Sequence, residues 1–189
     1  VQVTPKHFSD ADLEAYYTEL LSSRAADAGL AAPPQVSRVG WATSLSEYGD
    51  QMARCLQDAG FPAVSDGAGG TAFKPGVPPS QEAALDEATY VCDARYPLHP
   101  AIAEGWSEEQ VGLVYDYWDQ YYIPCMEAHG HPVSRADQPS REAYVGAFDS
   151  SQRISWWPNS ASIDLPVDER RALSTVCPEY PPADVMYGF

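Results

Sequence analysis

Four cysteines fall at matching places in two stretches of this chain, and that arrangement limits the fold more than any other feature. Cys55-Leu56-Gln57-Asp58-Ala59-Gly60-Phe61-Pro62 aligns with Cys125-Met126-Glu127-Ala128-His129-Gly130-His131-Pro132. Farther on, Pro78 to Leu85 matches Pro166 to Leu173, and Val91-Cys92 and Val176-Cys177 are followed by Tyr96-Pro97 and Tyr180-Pro181. Matches in the same order along both stretches describe an internal repeat of one supersecondary unit. The register slips once: seven residues separate Leu85 from Cys92, and four separate Leu173 from Cys177. That slip is close to one helical turn, so each Cys keeps the face of its Leu.

Four Cys allow three pairings. A duplicated unit selects pairing within units, Cys55 with Cys92 and Cys125 with Cys177. Each bridge then ties a unit's first helix to its second. Two other states of these residues stand beside that one. Zinc sites usually show close pairs such as C-x2-C, which are missing here, and free thiols on apolar helix faces are ordinary in cytosolic cores. Disulfides imply an oxidising compartment.

Local signals place the elements. Ser9-Asp10-Ala11-Asp12 is an N-cap with an acidic first turn, opening a helix whose Leu13, Tyr16, Tyr17, Leu20 and Leu21 share a face and which ends near Gly29. Residues 31–40, with Pro33-Pro34, read as a linker. Ser44-Leu45-Ser46-Glu47 and Ser107-Glu108-Glu109-Gln110 are capping-box patterns. Phe61 to Val64 and Thr71 to Phe73, around Ser65-Asp66-Gly67-Ala68-Gly69-Gly70, predict a small hairpin. Further helices are predicted from about Ser80 to Arg95, after Ser107, around Arg141 to Phe148, and from about Asp168 to Cys177. In the helix after Ser107, Val111, Val114, Trp118, Tyr121 and Cys125 form the expected core stripe, and Pro124 is expected to kink it.

The expected fold is therefore mainly α, at the margin of α+β, in one domain spanning 1–189. It holds an N-terminal helix (9–29) packed across two pseudo-symmetric disulfide-closed helix–loop–helix units (44–97 and 107–181), a hairpin in the first, and a Pro-rich tail (182–189).

With 11 basic and 27 acidic residues the chain carries a net charge of −16. Nucleic acids and anionic membrane surfaces would repel such a chain, so no nucleic-acid partner is expected. No apolar run reaches the roughly 18 residues that span a bilayer. A start at Val1 without a signal-peptide pattern fits a mature chain whose export segment has been removed.

No motif of nucleophilic catalysis such as G-x-S-x-G is present, and His7 and His99 stand in loop-like contexts. His129 and His131 with Glu127 suggest a metal pair, but two ligands alone do not hold zinc, so no metal and no cofactor are expected. Asp66-Gly67 lacks the alternating carboxylates of a calcium loop and reads as a turn. Trp106, Tyr115, Tyr117, Trp118, Tyr121 and Tyr122 crowd one helix, and Trp156-Trp157 lies on a loop. Tyr115 and Tyr122, seven apart, fall beside the core stripe. With Trp156 and Trp157 they form the expected ligand-binding surface, since aromatic platforms take up sugars, quaternary ammonium groups or protein partners. The competing role for these rings is to fill the seam between the units.

Cys55 to Phe61, Ser107 to Gln110 leading to Tyr115-Asp116-Tyr117 and Cys125, Trp156-Trp157-Pro158 and Val176-Cys177-Pro178 together resemble a group of actinobacterial secreted proteins and lipoproteins of unknown function. The likeness is one of layout and covers roughly residues 45 to 180. It implies an extracellular or cell-surface location, often through a lipid-anchored N-terminal Cys, which here would have to lie upstream of Val1. It supplies no catalytic residue. The function expected is a non-catalytic binding or interaction module of the bacterial envelope, whose partner is a small molecule, a glycan or an envelope protein. A secreted hydrolase with a site assembled by folding, and a purely structural envelope protein, are the alternatives.

Overall fold

Hydroxyl side chains set the starts of the helices that follow Ser9, Ser44, Ser107 and Ser140. In the computed structural model, which describes residues 3–150, 154, 156–158 and 165–189, α1 (Asp10–Asp27) opens with a full capping box between Ser9 and Asp12. Ser107 and Gln110 form the same reciprocal pair at the start of α5 (Glu108–Tyr117). At α2 (Leu45–Asp58) the Ser44 hydroxyl accepts from the Glu47 N–H at 3.0 Å, but Glu47 reaches one residue farther back and accepts from the Thr43 N–H at 2.7 Å. Either way the serine hydroxyl satisfies the N–H three residues on, one of the four orphan donors of the first turn.

Glycine sets the ends of α2 and α6 (Ile123–Ala128). The Phe61 N–H donates to the Leu56 carbonyl and the Gly60 N–H to Gln57, both at 2.9 Å, while Gly60 adopts φ +93°. The same bonds recur where α6 ends, from His131 to Met126 at 2.9 Å and Gly130 to Glu127 at 3.1 Å, with Gly130 at φ +85°. Both are Schellman motifs, which need a residue free to enter the left-handed region.

The chain divides into two compact units. In the N-terminal unit, Lys6–Glu104, the Cys55–Cys92 disulfide ties α2 to α3 (Glu82–Arg95) with a Cα–Cα distance of 5.7 Å. Its core holds Met52, Ala53, Leu56, Phe61 and Ala63 around the sulfurs. The hairpin pairs β1 (Ala63–Ser65) with β2 (Thr71–Phe73), Val64 opposite Ala72. The first strand starts later than its apolar run suggested, because the Phe61 N–H is engaged in the helix end and Pro62 has none to offer. Asp66 Oδ1 accepts from the N–H of Ala68 and of Gly70, both at 2.8 Å, confirming a turn.

That glycine turn lies against α2. A Cβ on Gly49 would stand 3.0 Å from the Gly69 Cα and 3.1 Å from its carbonyl carbon. Gly49→Ala is expected to destabilise the protein by about 1 kcal/mol, overpacking outweighing the helix-propensity gain. A urea denaturation series on both chains checks it.

Helix α1 belongs to this unit: the Tyr17 hydroxyl donates to the Ala94 carbonyl at 2.7 Å, fastening α1 to α3. The linker packs here too, with the Arg38 guanidinium 4.7 Å from the ring centres of both Tyr17 and Trp41 and bonded to Glu14 at 2.6 Å. His99 caps α4 (Pro100–Ala103), its Nδ1 accepting from the Ala101 N–H at 3.2 Å.

Asp93 is the one charged side chain among the buried residues described here. It accepts from the Tyr48 hydroxyl at 2.5 Å and from Arg24 Nε at 3.1 Å. Burial nevertheless lifts its carboxyl above the usual carboxylate range, outweighing both partners. A raised folded-state pKa means the native state holds the proton more tightly than the unfolded chain. The contribution of Asp93 is therefore fullest below 3.8 and is lost as pH rises through the folded-state value. The stability of the native chain relative to Asp93→Asn is expected to increase as pH falls toward 3.8, read from denaturation curves at a series of pH values.

In the C-terminal unit, Gly105–Phe189 together with the first residues of the chain, Val3 is buried and the Thr4 N–H donates to Glu109 at 3.1 Å. Helix α5 runs into a five-residue π turn, Trp118–Tyr122, before α6. The Ile123 N–H donates to Trp118, five residues back. Pro124 explains it: the ring would strike the Gln120 carbonyl and has no N–H to give, so the turn widens. Helix α7 (Arg141–Ala147) packs on α5, with Arg141 bonded to Asp116 at 2.8 Å. Helix α8 (Val167–Val176) ends at Cys177, whose disulfide to Cys125 again has a Cα–Cα distance of 5.7 Å. The segment expected to be a tail contains a short helix, α9 (Ala183–Tyr187), anchored by buried Met186. Among the described residues no helix is long and apolar enough to cross a membrane.

Candidate functional site

The aromatic residues singled out from the sequence converge in the C-terminal unit, around Trp118. That ring is fully buried, and its Nε1–H donates to the Glu179 carbonyl at 2.8 Å. Trp157 meets it edge-on at 4.7 Å, and Tyr144 and Trp156 each at 6.0 Å. Tyr180 lies 6.3 Å away.

Tyr115 and Tyr122 are not on an open face, contrary to expectation. Tyr122 is 2% exposed and Tyr115 8%. For Tyr122 the cause is the π turn: one extra residue rotates everything beyond it by about 100°. Tyr122 takes the inward place expected for Tyr121, and Tyr121 is left 44% exposed. For Tyr115 the cause is α7, which covers that side and sets Tyr144 5.6 Å away. The Tyr115 hydroxyl donates to the Pro139 carbonyl at 2.5 Å and accepts from Gln138 at 3.2 Å.

Trp156 and Trp157 are half-buried, forming with Trp106, Phe148 and Tyr180 the outer layer of the cluster. Trp106 stacks near-parallel on Phe148 at 5.8 Å and on Trp157 at 6.2 Å, and its Nε1–H donates to the Tyr187 hydroxyl at 3.2 Å. Burial pushes the Tyr180 hydroxyl well above the usual phenol range and raises that of Tyr187, so both stay neutral. The layer thus offers ring faces and neutral hydroxyls, with the Glu179 carboxylate beside the Tyr180 hydroxyl. Sequence spacing left out Tyr144 and Phe148, although their separation of four on a predicted helix was a readable signal.

At the other end of α6, Sγ of Cys125 and of Cys177 and a ring nitrogen of His129 lie within 4.8 Å of one another. His131 points to Glu169 instead, at 3.9 Å. Glu127 is exposed and outside that group.

No protein-family model, no curated protein and no solved structure matches this chain.

Proposed function

We propose that the protein is an extracytoplasmic, non-catalytic binding or interaction module of the bacterial cell envelope, contacting a glycan, a small molecule or an envelope protein through the outer aromatic layer of its C-terminal unit. The observation that carries this is the stacked trio of Phe148, Trp106 and Trp157, held half-buried over a fully packed interior. Rigid aromatic faces take up sugar rings and apolar side chains with little loss of rotamer freedom. Trp156 and Trp157 keep the ligand-facing role, and Tyr115 and Tyr122 become the support beneath them. Two disulfides fit an oxidising compartment, and with it export. The resemblance read from the sequence, to actinobacterial secreted proteins and lipoproteins, points the same way.

Titration of the oxidised protein with soluble cell-wall glycan fragments and with an envelope protein extract, followed by tryptophan fluorescence, tests this. A saturable change is expected that Trp106→Ala and Trp157→Ala abolish while far-UV circular dichroism stays native. Binding of equal strength in both variants would move the site elsewhere.

A further inference from the structure

We propose that Cys125 and Cys177, once their disulfide is reduced, form with His129 a three-ligand site for a thiolate-preferring divalent metal of the zinc class. The donor set is already assembled: both sulfurs and a His129 nitrogen lie within 4.8 Å of one another. In a tetrahedral zinc site with bonds of about 2.0–2.3 Å, ligand atoms stand a little under 4 Å apart, so the two sulfurs, bonded to each other in the oxidised chain, must separate by somewhat under 2 Å after reduction while the His129 nitrogen closes in by on the order of 1 Å. Two helix ends supply that geometry. Cys125 and His129 are four residues apart at the end of α6, where side chains project to one side, and the His129 N–H donates to the Cys125 carbonyl at 3.1 Å. Cys177 arrives from the end of α8.

The N-terminal unit provides the contrast. The place four residues after Cys55 is held by Ala59, so a His there is no requirement of closing the helix or of forming a disulfide. Access differs as well. Cys55 is 7% and Cys92 1% exposed, whereas Cys125 is half-buried and His129 is exposed. Thiol–disulfide exchange needs an attackable sulfur, and Cys125 offers one.

The chemistry balances with a dithiol as reductant. One of its thiolates attacks Cys125 Sγ, the sulfur–sulfur bond breaks, and Cys177 leaves as a thiolate. The second thiol of the reductant then displaces Cys125 and closes a cyclic disulfide, so two electrons pass to the protein. The metal takes both protein sulfurs as thiolates, releasing the thiol protons, and takes a neutral imidazole nitrogen from His129. Water fills the fourth position.

Cobalt(II) is the probe. The full-length protein is reduced with a dithiol, freed of reductant without oxygen and titrated with Co2+, while alkylation and mass measurement report which cysteines are free. One Co2+ per chain is expected, with a thiolate-to-cobalt absorption band that Zn2+ removes and with Cys125 and Cys177 shielded from alkylation. The oxidised protein gives no band. His129→Ala weakens binding roughly tenfold or more, as loss of a ligand should cost at least what loss of a ligand's supporting partner does. Three results overturn the proposal: no band in the reduced chain, an equal band in His129→Ala, or a band that survives Cys125→Ser combined with Cys177→Ser. Loss of the helical circular dichroism signal on reduction, not restored by Zn2+, overturns it too, because the site needs α6 and α8 in place.

Discussion

Trp118→Ala is expected to lower the stability of the C-terminal unit by about 3–5 kcal/mol, the range for truncating a fully buried aromatic ring. Trp118 is 0% exposed, and Tyr144, Trp156, Trp157 and Tyr180 all lean on it. Its removal leaves a void that these rings cannot all close, since Tyr144 is held on α7 and Tyr180 follows the disulfide-bound end of α8. Trp118→Phe separates the contributions. It keeps most of the ring volume and loses the bond to the Glu179 carbonyl, so about 1–2 kcal/mol is expected from that bond and the smaller cavity. Trp157→Ala, at a half-buried position, should cost clearly less than Trp118→Ala. Urea denaturation followed by near-UV circular dichroism measures all three. A Trp157→Ala cost equal to that of Trp118→Ala would place Trp157 in the core and remove the basis for a binding layer.

Removing the disulfides one at a time is expected to show that burial outweighs loop length. In the chain-entropy model each bridge contributes roughly 4 kcal/mol, and the longer loop gains only about 0.3 kcal/mol over the shorter. The loops span 37 residues for Cys55–Cys92 and 52 for Cys125–Cys177, so entropy alone favours the second bridge slightly. Both sulfurs of the first lie in the core, at 7% and 1% exposure for Cys55 and Cys92, whereas Cys125 is only half-buried. Replacing a buried sulfur by a methyl hydrogen leaves a void costing on the order of 1 kcal/mol. Cys55→Ala with Cys92→Ala should therefore destabilise more than Cys125→Ala with Cys177→Ala. Thermal unfolding of both double variants decides it, and the reverse order would mean that loop closure or residual unfolded-state structure dominates.

The elements of the fold were legible because their signals are local. Ser9 with Asp12 and Ser107 with Gln110 close capping boxes within one turn, and Gly60 and Gly130 end their helices with bonds to residues a few positions back. The candidate site was legible only as a list of residues. Trp118 at its centre and Trp156 and Trp157 beside it were named, but which tyrosines face inward was misread. Helical spacing assumes 3.6 residues per turn, and Pro124 breaks that assumption just upstream of itself.

What the sequence by itself determined is whatever depends on neighbours within a few residues, or on the order of matching features: helix starts and stops, the turn at Asp66, and the pairing of Cys55 with Cys92 and Cys125 with Cys177. What only the tertiary structure decided is burial. Asp93 among 27 acidic residues carries no local mark of being enclosed, and it is enclosed because α1 and α2 bring Arg24 and Tyr48 over it. Met186 anchors a helix in a Pro-rich tail, and His129 comes within reach of both Cys125 and Cys177, for the same reason. Burial and proximity are properties of segments far apart in sequence, set by the free energy of the whole packed unit, and no window of neighbouring residues contains them.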